Sequence, residues 1–189
     1  MIRFLDRINF KNIYHFLGEI HNAYCSKRDF IQFQYGKKET NFDEIETFLE
    51  KINLVFEEGQ ILNLSSSLFG NSLKSNEEIA LLQKEIVQHI IDTNNKDFFF
   101  CKEYFAMFEY EDGHYVHYPN SYERVNYAGI RNLFIELGVV TMVNDGRYYT
   151  INESYVNTLK HLLVLKGSLS PRQLKVALNN NEKIGREAE

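Results

Sequence analysis

The densest group of side chains able to do chemistry is "EYEDGHYVHYP", residues 109–119, which holds Glu109, Glu111, Asp112, His114 and His117. Carboxylates beside two imidazoles are the donor set of a divalent-metal site. The spacing argues against one. Histidines three apart share a face only on a helix, and Asp112-Gly113 together with Pro119 disfavours a helix here; on a strand the two rings point to opposite sides. The stretch reads instead as a solvated, aromatic-rich turn, either a hairpin reversing at Asp112-Gly113 or the end of a helix and a loop. No metal ligands are assigned.

The rest of the chain offers less. His15, His21, His89 and His161 lie in helical stretches with no evident partners. There is no phosphate-binding glycine loop, no His-Glu-x-x-His and no Cys-x-x-Cys. No Ser/His/Asp or Cys/His arrangement can be assembled from spacing. The expectation is a chain without catalytic residues, cofactor or small-molecule substrate. Cys25 and Cys101 sit in unrelated contexts, which favours reduced thiols. The opening "MIRFLDRINF" is too charged for a signal peptide, and no run approaches 18 apolar residues, so a cytoplasmic protein with no membrane partner is expected. Hydrophobic content of 44 % with 14 % aromatics supports real cores.

The elements that would position any site come in two copies. "NFDEIETFLEKINLV" (41–55) aligns without gaps on "NYAGIRNLFIELGVV" (126–140) at a constant offset. Phe42 matches Tyr127, Ile45 matches Ile130, and Phe48/Leu133, Leu49/Phe134, Ile52/Leu137, Leu54/Val139 and Val55/Val140 follow. Ile130, Leu133, Phe134 and Leu137 fall at the spacing of a helix with one buried face. Asn41 and Asn126 stand as N-caps, with Glu44 placed to complete a capping box in the first copy. Gly138 is placed to end the second helix in a left-handed conformation. With the offset lengthened by two, Glu58-Gly59 aligns with Asp145-Gly146 and Leu64 with Ile151, so each helix is followed by a hairpin.

Helices also precede both copies, over 10–24 (Phe10, Ile13, Tyr14, Leu17, Ile20 inward) and 76–93 (Ile79, Leu82, Ile86, Val87, Ile90 inward). Between them, "DFIQFQYG" (29–36) alternates like a strand. Helix, intervening segment, helix, hairpin is the order of a winged helix-turn-helix. The expected fold is therefore α+β and helix-rich: winged-helix-like units at 1–70 and 74–152, then C-terminal helices over 153–189. Chance likeness between two amphipathic helices is the alternative.

Charge separates the copies. The net −5 divides into −2 over 1–70, −5 over 71–152 and +2 over 153–189, so no broad basic face is present. The first repeated helix is expected to expose Asp43, Glu44, Glu46 and Glu50 with only Lys51 against them, a face that repels phosphates. The second exposes Arg131 and Asn132, is preceded by Tyr122, Arg124 and Asn126, and is followed by Arg147 on the hairpin. Arginine and asparagine can read base edges in a major groove, and tyrosine can bond a phosphate or stack. These six residues are the candidate contacts to double-stranded DNA. A surface for a partner protein or for a homodimer is the alternative, because winged helices with acidic or neutral faces often serve assembly.

The tail, "NESYVNTLKHLLVLKG" and then "LSPRQLKVALNNNEKIGREAE", reads as a helix stopped by Gly167 and a second helix capped by Ser170, with Pro171 and Gln173 in its first turn and a Leu169/Leu174 staple. Its last residues are helix-compatible with no stop signal, as if the chain ended within an element. Residues 170–189 resemble the connecting helix that leads, in restriction-type and phage-defence proteins, into a PD-(D/E)XK nuclease-like domain of the NO VEIN C-terminal kind; Gly185 to Glu189 resembles the Gly-x-x-Ala-Glu opening of such domains. The resemblance implies a recognition or regulatory module whose nuclease core lies beyond residue 189. Within the chain, no Asp or Glu stands two places before a Lys, so that motif is absent from it.

Overall fold

A computed structural model describes residues 8–65, 75–119 and 126–163. Over these residues the protein is helix-rich α+β, with seven α-helices and six strands in two antiparallel sheets. The chain divides into two compact units, 1–95 and 96–189. The expected helix from Ser170 onward and Gly167 lie outside the described residues.

The first unit begins with α1 (Phe10–Asn22), capped by Asn9, whose side chain accepts from the Asn12 amide at 2.8 Å. Ile13, Phe16, Leu17 and Ile20 are buried, the spacing of one helical stripe. Residues 29–36 are not a strand. They belong to α2 (Arg28–Gly36), in which Ile31 and Tyr35, one turn apart, are buried while Phe33 is 63 % exposed. A strand would have put all three on one face. The Tyr35 ring meets Phe16 at 5.5 Å and Phe42 at 5.8 Å. In α3 (Phe42–Lys51), Phe42, Ile45, Phe48 and Leu49 face inward. Asn41 holds the N-cap position without capping: its Oδ1 accepts from the Tyr35 hydroxyl at 2.8 Å, and no capping box forms with Glu44. A capping box forms instead between Ser75 and Glu78, at the head of α4 (Asn76–Asp92). The hairpin β1 (Val55–Glu58) to β2 (Ile61–Leu64) turns through Gly59 and Gln60, both at positive φ as a tight two-residue turn requires. A single β-bridge, Lys27 opposite Ile61, joins the chain before α2 to this hairpin: the Leu62 amide donates to Ser26 O at 2.9 Å and the Arg28 amide to Gln60 O at 2.8 Å.

The second unit runs from a 3-10 turn (Lys96–Phe98) through α5 (Phe99–Phe105), β3 (Glu109–Glu111), β4 (His114–His117), α6 (Asn126–Glu136), β5 (Val140–Val143), β6 (Tyr148–Ile151) and α7 (Glu153–Leu163). Residues 107–118 thus resolve as a hairpin, reversing at Asp112-Gly113. Its strand β4 joins β6, giving a sheet in the order β3-β4-β6-β5. The core is aromatic: Phe105 meets Phe134 at 4.5 Å, and Tyr104 packs edge-on to Phe108 and His117. α6 begins at Asn126 itself, whose side chain lies outside the description.

The repeat is physical. All seven matched pairs from Phe42/Tyr127 to Val55/Val140 are buried in both units. Each helix ends in the same two hydrogen bonds around one left-handed residue, Asn53 (φ 58°) or Gly138 (φ 71°). Leu54 N donates to Leu49 O and Val139 N to Phe134 O, each at 2.9 Å; Asn53 N donates to Glu50 O and Gly138 N to Ile135 O. This pair of bonds closes a helix while turning the chain out of it. The returning strand is then tied to the same place, Ser65 N to Leu54 O and Asn152 N to Val139 O, both 2.9 Å.

A helix after the hairpin completes each unit by satisfying the same carbonyl. His89 Nδ1 in α4 donates to Ile52 O at 2.7 Å, and the Tyr155 hydroxyl in α7 donates to Leu137 O at 3.0 Å. Burial raises the Tyr155 phenol pKa, which keeps that donor protonated. Thr93 Oγ1 adds a bond to Lys51 O at 3.0 Å. The sequence pattern places α4 at the opening of the second unit, from residue 74; its hydrogen bonds tie it to the end of α3.

Truncating Phe134 to Ala should cost about 3–5 kcal/mol, the usual effect of emptying a buried ring position. Gly138→Ala should cost about 1–2 kcal/mol, because an L side chain is strained at φ 71°. Urea denaturation checks both; a midpoint unmoved by either change would remove that residue from the closure described.

Candidate nucleic-acid interface

Arg131 and Asn132 occupy successive positions of α6, on the flank left open when Ile130, Leu133, Phe134 and Leu137 turn to the core. Asn132 is exposed and Arg131 half-buried. The Arg131 guanidinium lies over the Tyr149 ring, 4.7 Å from its centre. Tyr149 is only 7 % exposed, and in the sheet it stands between His117 on β4 and Met142 on β5. The turn between β5 and β6 passes over its hydroxyl: a Cβ on Gly146 would sit 3.1 Å from Tyr149 Oη and 3.6 Å from Met142 Sδ. Arg147, exposed, is the next residue of that turn. Tyr149 is therefore the common neighbour of the helix arginine and the hairpin tip. Tyr122 and Arg124 lie outside the described residues, as does the Asn126 side chain.

The repeat gives this site an internal comparison. Arg131 matches Glu46, and Tyr149 matches Leu62, at the same offsets that align the two cores. Glu46 is not an exposed acid, contrary to the expectation from helix periodicity. It is 5 % exposed, and Arg28 holds it in a two-pronged ion pair, Nε to Oε1 at 2.7 Å and Nη2 to Oε2 at 2.5 Å. Arg28 also reaches Asp43 Oδ1 at 3.0 Å and lies over the Phe42 ring at 5.3 Å. The hydrogen bond to Glu46 is the main reason the guanidinium pKa rises above its already high value. One position of the repeated helix thus carries an acid neutralised inside its own unit, and in the other copy an arginine on an aromatic platform. The hairpin turns differ too: Gly59–Gln60 in the first unit and the longer Asn144–Arg147 in the second, where Arg147 takes the place that Gln60 holds in the first.

What remains exposed on the first unit suits a phosphate poorly. An open recess of about 570 Å³ lies where α3 and α4 end, lined by Glu50, Asn53, His89 and Asp92 among others. Two helix C-termini supply partial negative charge there. Burial, then the neighbouring Glu46 and Glu57, raise the Glu50 carboxyl above its ordinary value.

The carboxylate and histidine cluster does not converge. His114 is exposed and His117 buried among Tyr104 and Phe108. Glu111 Oε2 accepts from the Tyr118 hydroxyl at 3.1 Å. Among the described residues no three His, Cys, Asp or Glu side chains are grouped to hold a metal ion. The Cys101 thiol is fully buried, which pushes its pKa up to about 12 and leaves it without thiolate character.

The sequence singles out Arg131, Asn132 and Arg147 as candidates, but gives no sign of Tyr149, Met142 or the Arg28–Glu46 pair beside them. Alternation in "YYTI" turns Tyr149 inward, yet nothing in spacing joins it to an arginine 18 residues earlier. Comparison with protein-family models, curated proteins and solved structures finds no match to this chain.

Two outcomes follow from these electrostatics. Arg28→Ala should destabilise the fold by somewhat less than the roughly 3–5 kcal/mol of a broken fully buried pair, since the Arg28 side chain is itself 29 % exposed; a change indistinguishable from zero would mean the pair contributes nothing. For Glu50, the folded carboxyl holds its proton more tightly than the unfolded chain does. Its ionisation therefore penalises the fold above the carboxylate range and not below it. Glu50→Gln should raise the denaturation midpoint at pH 7 and leave it unchanged at pH 3, whereas an equal rise at both would contradict the assignment.

Proposed function

We propose that the chain is a tandem winged-helix module that recognises double-stranded DNA through its second unit. In this reading it is the non-catalytic recognition or regulatory part of a cytoplasmic restriction or phage-defence type nuclease. In the first unit the order α1, α2, α3, β1, β2, with Lys27 bridged to Ile61 on β2, matches a winged helix-turn-helix, whose recognition helix enters the major groove. The observation that carries the reading is the divergence at one repeated position. Glu46 is closed off by Arg28, while Arg131 is held over Tyr149 beside a hairpin tip that bears Arg147. Arg131 and Asn132 have the chemistry to read guanine and adenine edges, and Arg147 to hold a phosphate. Among the described residues no helix is long and apolar enough to cross a membrane.

A protein-binding role is the second reading, and one observation favours it. Met142, 54 % exposed, stands opposite Tyr149 on the neighbouring strand, and methionine, tyrosine and arginine are residues enriched at protein interfaces. The net charge of −5 points the same way.

Fluorescence anisotropy with a labelled duplex separates the two. Few cations face the DNA in this scheme: Arg124, Arg131 and Arg147. Log affinity against log salt should then fall with a slope near roughly −3, and the non-specific dissociation constant should lie at about 10⁻⁴ to 10⁻⁶ M or weaker at physiological salt. Arg131→Ala should cost about 1–3 kcal/mol of binding if it reads a base edge, and charge reversal at Asp43 or Glu50 should change little. Loss of binding from changes in α3, with Arg131→Ala silent, would transfer the site to the first unit. No binding at low salt would leave the protein-binding reading.

A further inference from the structure

The Arg131 platform has a feature that neither charge nor helix position requires: it is closely packed. The Tyr149 ring stands in one row of the sheet between His117 and Met142, and His117 is itself packed against the rings of Tyr104 and Phe108. Above the hydroxyl, the left-handed turn at Gly146 (φ 84°) comes so close that even a methyl group there would press on Tyr149 Oη. The ring is flanked on both sides in the sheet, and the turn leaves little room above its hydroxyl. The Arg131 guanidinium lies over this ring, and a guanidinium parallel to a ring face keeps its in-plane N–H edges directed away from the ring. In the first unit the corresponding position is Leu62, which has no flat face, and the matching helix residue there, Glu46, is held by an ion pair.

We infer that Tyr149 is the positioning residue of this surface, and that it fixes the Arg131 guanidinium so as to present a flat pair of donors to a flat pair of acceptors on the nucleic acid. The inference rests on the DNA reading of the second unit. Two acceptors in one plane occur at the O6/N7 edge of guanine and at two oxygens of a phosphate, and both match the planar fork of arginine. A lysine at 131 would carry the charge without the plane.

The test uses the whole chain, a fluorescein-labelled duplex of mixed sequence, and anisotropy at low salt. Tyr149→Leu is the natural variant because leucine already fills the matching site in the first unit. It should weaken binding about tenfold, the scale of a partly desolvated cation–π contact. Tyr149→Phe, which keeps the ring, should bind within about twofold of the parent. The double variant Tyr149→Leu/Arg131→Ala should bind no more weakly than Arg131→Ala alone, because the ring acts only through the arginine. A merely structural role for Tyr149 would shift melting temperature and would make the two losses multiply. If Tyr149→Leu does not fold, Arg131→Lys serves: it should lose a similar factor while the salt slope stays unchanged. A duplex with 7-deazaguanine in place of guanine identifies the source. A smaller loss from Arg131→Lys on it puts the acceptors on guanine, an equal loss on phosphate, and either sustains the inference. Binding that falls with Arg131→Ala but not with Tyr149→Leu or Arg131→Lys would overturn this inference alone. Absence of binding by the parent protein would overturn it together with the reading on which it rests.

Discussion

Both units depend on how one helix ends. A helix leaves its last carbonyls without partners, and the chain must still turn back over the core it has just built. Here a single left-handed residue, Asn53 or Gly138, does both. It sends the next residue, Leu54 or Val139, into the core, with its amide bonded to the carbonyl five residues earlier. The carbonyl of that same residue receives the returning strand, and the preceding helix carbonyl receives a side chain from the helix that follows. Helix, hairpin and closing helix are thus fixed by bonds to three consecutive residues. A hairpin held so tightly to a helix can present both elements on one surface without further support.

With the scaffold settled locally, the outward positions were left to diverge. At position 46 the first unit has spent an acid on its own cohesion, stapling α3 to the head of α2 through Arg28. At the matching position the second unit has Arg131, which lies over the Tyr149 ring. The difference matters more than net charge, since both units are acidic as wholes and only the local field meets a ligand. The hairpin turn of the second unit carries Arg147 in the same neighbourhood, where the first unit has Gln60.

Much of the scaffold was legible. The register from Phe42/Tyr127 to Val55/Val140, the left-handed Gly138 and the two-residue lengthening of the second hairpin all follow from periodicity and turn chemistry, which are local. What was not legible was tertiary. The alternation at 29–36 resembles a strand because Phe33 is apolar, and only its exposure in the fold separates it from Ile31 and Tyr35. Glu46 looks solvent-facing until Arg28, 18 residues earlier, is brought to it. Asn41 has the residue type of a cap, yet the Tyr35 hydroxyl claims its oxygen. At the candidate site the arginines were visible as charges, while the platform that orients one of them was not, because a ring 18 residues away leaves no trace in spacing.

In the proposed function the second unit meets the ligand while the first serves as scaffold. Chemical-shift mapping tests it most directly: backbone amide spectra of the uniformly labelled chain, recorded as a DNA duplex is added. Shifts should concentrate at Arg131, Asn132 and the turn Asn144–Arg147, with the amides of α3 and of the first hairpin unmoved. Shifts concentrated on residues 43–64, or none at duplex concentrations well above the expected dissociation constant, would contradict it.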